Sequence, residues 1–253
     1  MIAIAEPADR QLASPLGRAS PLLKLGIAVG WLLGLALTLD PVPPAVIVGV
    51  TLGAGLVLGR IPPGRLAAGL APLWTAALGI GLFNALFSAS NGDLSLPLVA
   101  QLGPLRLTDA AVAAGVGLAL RVLAIASVGV VFGLTTDSTR LVDSLVQQGR
   151  VPERFGYGAL AAYQAIPRLA DDLATLRQAR RMRGLRGGWH PRLLVGLLVL
   201  AIRHGDRLAL AMDARAFGSG PRSRFRVVRW SWLDLLLAAG AAAVLVLALS
   251  LGG

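Results

Sequence analysis

The feature that most constrains this chain is a set of long apolar runs. Lys24 is the one charged residue between Leu22 and Leu39, no charge interrupts Leu66 to Phe87, Arg121 is alone between Ala110 and Leu134, and Asp234 is alone between Leu233 and Leu251. A fifth run, Ala45 to Gly59, is shorter and gains length from Val42 to Pro44. Crossing about 30 Å of hydrocarbon with every backbone group bonded internally takes a helix of about 20 mainly apolar residues. These runs therefore predict an all-α membrane protein with about five transmembrane helices. Composition agrees, because 55% of the residues are hydrophobic and 15% charged, too little charge to cover a soluble domain.

The runs are separated by breakers. Asp40 with Pro41, Pro43 and Pro44 ends the first, and "GRIPPGR" turns the chain with Arg60 and Arg65. The stretch "SASNGDLSLPLVAQLGPLRLTD" reads as loop from its Asn, Gly, Asp and Pro content. Residues 1–20 lack the apolar core and small-residue cleavage site of a signal peptide and read as a retained tail. Gly26, Gly30 and Gly34, and likewise Gly49 and Gly53, are small-xxx-small repeats that would admit a neighbouring helix; glycine is also simply abundant here, 31 of 253 residues.

The formal charge of +11 is concentrated. Residues 135–231 hold 17 arginines against seven acids, a balance of +10. In a membrane protein such an excess marks a cytoplasmic segment, a more economical account than nucleic-acid binding. Arg18, Lys24, Arg60 and Arg65 fall on the same side, and Arg106 stands alone in the opposite loops. The expected organisation is an N-terminal tail with four transmembrane helices (1–134), a cytoplasmic block of amphipathic helices (135–231) and a last transmembrane helix (232–253). The N-terminus and the block are expected in the cytoplasm and the C-terminus outside.

Within the block, "TTDSTRLVDSLVQQGRVPERF" predicts two short helices broken near Gly149 and Pro152, with Thr136, Asp137 and Ser138 able to cap a helix start. From Tyr157 a longer pattern begins. Leu169, Leu173 and Leu176 share a helical face with Ile166, and continuing that stripe reaches Arg180 and Arg183 before Gly184, Gly187 and Gly188 stop the helix. The next segment repeats the plan. Ala201, Gly205, Leu208 and Met212 lie on one face, Arg215 continues it, and Gly218 and Gly220 end it. Two readings fit an arginine in this place: a cation suits a helix C-terminus by ~0.3–1 kcal/mol and its stem snorkels along apolar surface, or its guanidinium fork reaches a partner offering acids and carbonyls.

Other chemistry finds little support. The chain has no cysteine and no G-x-x-x-x-G-K-[ST] phosphate loop, so neither thiol chemistry nor nucleotide hydrolysis is expected of it. His190 and His204 lack a carboxylate-rich ligand set, so no metal site is expected. Asp171 and Asp172 point about 100° apart on a helix, unsuited to paired acid–base work; "GSGPRS" could cradle a phosphate but also suits a turn after a helix. Arg121 lies inside a span, where charge is costly, and a contact with backbone carbonyls is its expected role. An anchored scaffold whose basic block holds anionic lipid is the alternative to a coupling role.

The stretch from "TTDSTRLVDSL" through "RVPERF" and "AIPRLADDLATLRQARRMRG" to "HGDRLALAMDARAFGSGPRS" resembles the transmembrane coupling subunit, or T component, of energy-coupling-factor (ECF) importers of vitamins and metal ions. The resemblance covers about Leu22 to Phe225, and its specific part is two Ala-Arg-Gly-like motifs, here Met182-Arg183-Gly184 and Ala214-Arg215-Ala216. It implies that Arg183 and Arg215 dock into two ABC-type ATPase subunits, with Met182, Gly184, Ala214 and Ala216 as flanks. It also implies that the apolar faces bearing Leu169, Leu173, Leu176, Leu208 and Met212 carry a membrane-embedded substrate-binding S component. The chain departs from the family pattern at Ala216, where glycine is usual. Catalysis, ATP and magnesium would belong to the partners, the setting would be a bacterial or archaeal plasma membrane, and the cargo would be chosen by the S component.

Overall fold

A computed structural model describes residues 9–38, 40–93, 95–102, 105–185, 190–220 and 226–251. Its helices, in chain order, are α1 (Asp9–Leu12), α2 (Pro15–Arg18), α3 (Pro21–Ala36), α4 (Val42–Val57), α5 (Pro63–Leu86), α6 (Asp109–Thr135), α7 (Ser138–Gln147), α8 (Glu153–Met182), α9 (Pro191–Ala214) and α10 (Trp232–Leu251), with strands β1 (Leu98–Leu102) and β2 (Leu105–Thr108) before α6. Two compact units result. One joins the chain up to Leu141 with the chain from Arg229 onward, and the other is Val142–Val228.

All five apolar runs are helices, and the chain is an all-α membrane protein. Among the described residues three helices are long and apolar enough to cross a membrane, one starting at Pro63 and the others at Asp109–Thr135 and Trp232–Leu251. The remaining two, α3 and α4, have 16 residues each and rise about 24 Å, short of a ~30 Å hydrocarbon layer. The expected five or so apolar helices are present, three of them long enough to cross by length and composition and two shorter. Near the shortened end of α3, Arg121 of α6 donates through Nη2 to the Thr38 carbonyl. The charge inside α6 thus satisfies an acceptor just past the end of a helix that stops early.

Two local expectations are corrected, and the tail gains structure. The stretch expected as loop contains a 3₁₀ turn, Ala89–Gly92, and an antiparallel hairpin pairing Ala100 with Leu107 and Gln101 with Arg106. The missed signal is the period-two alternation of Leu105, Arg106, Leu107 and Thr108. Asn91 holds the hairpin to the helices: its amide donates to the Ala85 and Leu86 carbonyls at the end of α5, and its Oδ1 accepts from the Thr108 N–H at 3.0 Å. The second short helix of the arginine-rich block is instead the start of the 30-residue α8, which runs through Pro167. The N-terminal tail winds into α1 and α2 with Gln11, Ser14 and Ser20 buried, and Ser14 caps α2 by accepting from Gly17 N–H at 3.0 Å.

The core of the first unit lies in two clusters. Ile61, Leu66 and Leu70 meet Val131 and Leu134, and Trp31 and Leu35 meet Ile47 and Ala124. Trp31 also donates through Nε1 to the Ala241 carbonyl at 3.0 Å, tying α3 to α10. Of the glycines in the two small-residue repeats, Gly34 alone meets a close neighbour, Leu245; a Cβ on Gly26, Gly30, Gly49 or Gly53 would meet nothing within 4 Å. Close backbone approach occurs between α5 and α6, where a Cβ on Gly115 would lie 2.6 Å from the Gly81 carbonyl oxygen and 2.9 Å from Ala85 Cβ.

Two corners share one construction. "GRIP" (Gly59–Pro62) and "GRVP" (Gly149–Pro152) each place arginine in the left-handed region, φ 50° at Arg60 and 56° at Arg150. In each, the glycine N–H closes five residues back, on Ala54 or Ser144, and the β-branched residue closes six back, on Gly55 or Leu145. Proline then occupies the N-cap of the following helix, α5 or α8.

The glycine contact yields a prediction. Gly115→Leu should destabilise the purified protein by about 3 kcal/mol, because overpacking here meets backbone that cannot yield. Gly26→Leu should leave thermal unfolding in detergent nearly unchanged.

Candidate functional site: two arginine-bearing helix ends

Both candidate motifs fall at helix C-termini in the second unit. Arg183 is the C-cap of α8 and Arg215 the C-cap of α9. The closures match bond for bond. Gly184 N–H donates to Arg181 O at 3.0 Å and Leu185 N–H to Arg180 O at 3.2 Å; Ala216 N–H donates to Asp213 O at 2.8 Å and Phe217 N–H to Met212 O at 3.0 Å. These are paired Schellman closures, which require a left-handed residue after the cap. Gly184 has φ 71° and Ala216 φ 54°. The position where this chain departs from glycine is thus one where glycine has a physical advantage, since a Cβ in that region crowds the following carbonyl.

The motif residues lie at the surface. Met182, Arg183, Gly184, Ala214, Arg215 and Ala216 are all exposed, Met182 at 89%. Arg180, one turn back on the same stripe, is half-buried where Arg183 is exposed. His190 is the N-cap of α9, where its Nδ1 accepts from Arg192 N–H at 3.1 Å. Arg186, Gly187, Gly188, Trp189, Arg222 and Arg224 lie outside the described residues.

The two helices run in opposite directions. Leu176, near the end of α8, would touch a Cβ on Gly196 near the start of α9, while Arg154, at the start of α8, packs over Gly218 just past the end of α9 and donates to its carbonyl. Arg183 and Arg215 consequently lie at opposite ends of the pair, separated by most of the length of α8, about 40 Å at 1.5 Å per residue. The stripe residues Leu169, Leu173, Leu176, Leu208 and Met212 are all half-buried. The more exposed apolar face of α9 is a different one: Leu194, Val195, Leu198, Val199 and Ile202. Period-3.6 counting found an apolar stripe on each helix but not which side the partner helix covers.

Sequence reasoning missed a buried polar cluster in the first unit. Lys24 Nζ donates to the Thr135 carbonyl at 2.8 Å, Asp234 accepts from Ser20 N–H at 2.7 Å and Ser231 N–H at 2.8 Å, and Arg140 Nη1 donates to Gly17 O at 2.6 Å. Lys24 and Asp234 are 8% and 3% exposed. The chain thus leaves the apolar helices at Thr135–Arg140 and returns at Ser231–Asp234 beside one N-terminal segment, Gly17–Lys24. The available signal was that Lys24 and Asp234 are each the one charge in an apolar run.

Comparison with known proteins places the chain. Residues 13–227 match the CbiQ family, described as cobalt transport protein. The chain is similar to the energy-coupling factor transporter transmembrane protein EcfT of Thermotoga maritima, 29% identical over 72% of this chain and 70% of the relative. It is 26% identical to the EcfT of Heliobacterium modesticaldum over 93% of this chain and 92% of the relative. It is also 30% identical, over 71% of this chain but 25% of the relative, to a protein of Bifidobacterium longum named as an ABC transporter ATP-binding protein.

The left-handed closures carry a prediction. Ala216→Gly should stabilise the end of α9 by about 1 kcal/mol, and Gly184→Ala should loosen the end of α8 by a similar amount. Hydrogen exchange should show the Phe217 amide slowing about fivefold in the first variant and the Leu185 amide accelerating in the second.

Proposed function

The chain belongs to the CbiQ family, the transmembrane T components of energy-coupling-factor transporters, and we propose that it transmits motion from two ABC-type ATPase subunits to a membrane-embedded S component. Arg183 docks one ATPase and Arg215 the other. The observation that carries this reading is the pair of matching arginine-bearing closures at opposite ends of α8 and α9. Arginines about 40 Å apart cannot share one site, and two ends of one construction suit two copies of one kind of partner.

Each guanidinium offers five donors in a planar fork to carboxylates and carbonyls in a groove, and the left-handed residue behind it turns the backbone away so that the tip protrudes. Leu169, Leu173, Leu176, Leu208 and Met212, with the more exposed Leu194, Val195, Leu198 and Ile202 on α9, offer the S component an apolar seat. ATP-driven approach of the ATPases moves the two helix ends, and the helices pass that displacement to the S component, which reorients and releases a vitamin or metal ion inward. The chain itself is non-catalytic in this scheme; ATP and magnesium are bound by the partners. The N-terminus and residues 135–231 face the cytoplasm and the C-terminus the outside of a bacterial or archaeal plasma membrane, in keeping with the arginine distribution.

The test is co-purification of the ATPases with arginine variants. Arg183→Ala and Arg215→Ala should each weaken docking about tenfold, the scale of a lost charge-assisted hydrogen bond, and the double variant should insert into membranes yet recover almost no ATPase. Wild-type recovery by the double variant would refute the assignment. If the block instead holds anionic lipid through its total charge, Arg222→Ala and Arg224→Ala should cost as much as Arg183→Ala.

A further inference from the structure

A cavity of about 380 Å³ lies among α3, α4, α6 and α10, lined by Lys24, Trp31, Thr51, Phe132, Gly240 and Val244 among others. It is graded along the bundle. Lys24 stands about 4.5 Å inside the end where α3 and α10 begin and α4 and α6 finish, Thr51 about 9 Å, Trp31 about 15 Å and Val244 about 18 Å, at 1.5 Å per residue. That these helix ends are level follows from the Lys24–Thr135 and Ser20–Asp234 hydrogen bonds and, for α4, from a Cβ on Gly59 that would lie 3.3 Å from the Thr135 side chain. The polar lining groups Lys24, Thr51 and Thr135 stand among apolar ones within about 9 Å of that end, and the lining beyond them is apolar, over a length of about 13 Å.

Two observations point to an occupant. The Thr51 side chain is 5% exposed and its Oγ1 has no hydrogen-bond partner among the described residues, although it lines the cavity. A buried hydroxyl without a partner is costly, and the usual remedy, a bond to the preceding helical turn, is not taken. Lys24 has three N–H donors, and its bond to the Thr135 carbonyl occupies one of them. A lysine Nζ donor near the bundle end, a hydroxyl donor one turn deeper and an apolar slot beyond them match the order of groups in a glycerophospholipid: phosphate, ester carbonyl, acyl chain.

We propose that this cavity holds one acyl chain of an anionic membrane phospholipid, with its phosphate at Lys24 and an ester carbonyl accepting from Thr51. The bound lipid fills the space between the short helices α3 and α4 and the longer α6 and α10, and thereby braces the end of the bundle from which the chain departs toward α7. This site is separate from the arginine-rich block and does not depend on how the ATPases dock.

Native mass spectrometry of the full-length protein in detergent, titrated with dioleoyl phosphatidylglycerol or dioleoyl phosphatidylcholine, tests this. Wild type should bind one phosphatidylglycerol well ahead of further lipids and at least about threefold more tightly than phosphatidylcholine. Gly240 lines the cavity and a Cβ there meets nothing within 4 Å, so Gly240→Leu should fill the slot and weaken that first binding tenfold or more, on the order of the apolar area displaced. Thr51→Val, which keeps side-chain shape and tests the hydroxyl even if the leucine variant misfolds, should weaken it about threefold to tenfold. Binding by folded Gly240→Leu or by Thr51→Val that equals wild type, or equal wild-type affinity for the two lipids, would overturn the proposal.

Discussion

Helix ends that must satisfy their own backbone, in or beside a medium without water, are the constraint on which this structure depends. A helix leaves its last carbonyls without intrahelical donors, and in hydrocarbon each such group is expensive. This chain answers with a specific device at one end after another. Arg121 reaches the Thr38 carbonyl beyond α3, Asn91 covers the last carbonyls of α5, and Lys24 takes the Thr135 carbonyl at the end of α6. Where helices end in the remaining corners, the backbone closes on itself through a left-handed residue, at Arg60, Arg150, Gly184 and Ala216.

The same device that finishes α8 and α9 makes them suitable for recognition. A left-handed closure halts the helix abruptly and sends the chain sideways, leaving the C-cap arginine at a protruding corner rather than within a frayed turn. The cation also faces the negative end of the helix dipole. The structural account of a cation at a helix C-terminus is therefore compatible with the proposed docking role, because a held arginine is the one such a role would need. With α8 and α9 running in opposite directions, the two corners are far apart, as the proposed coupling role would require.

Much of the fold was legible because apolar runs and breakers act locally. The positions of α3, α5, α6 and α10 follow from their long apolar runs and the breakers between them, and the end of α8 follows from Gly184, whereas α9 closes at Ala216, ahead of Gly218 and Gly220. The hairpin was obscured by a loop-like composition around a short alternating pattern. The start of α8 was obscured by Pro152, which reads as a break but acts as an N-cap, and by Pro167, which long helices tolerate at the cost of one hydrogen bond. The candidate arginines were legible because both stand where an apolar stripe ends.

By itself the sequence determined which long segments are helical and apolar and where the arginines end their stripes; the left-handed residue after each arginine is a feature of the structure. Tertiary structure decided which glycines admit a neighbour: Gly81 and Gly115 meet across α5 and α6, while Gly26 and Gly30 face open space. It decided the apolar face left exposed on α9, and it made the polar cluster, whose hydrogen-bonded partners lie 111 and 214 residues apart. The reason is physical: periodicity records which side chains avoid water, but a buried donor's acceptor and a glycine's neighbour are set by how whole helices pack.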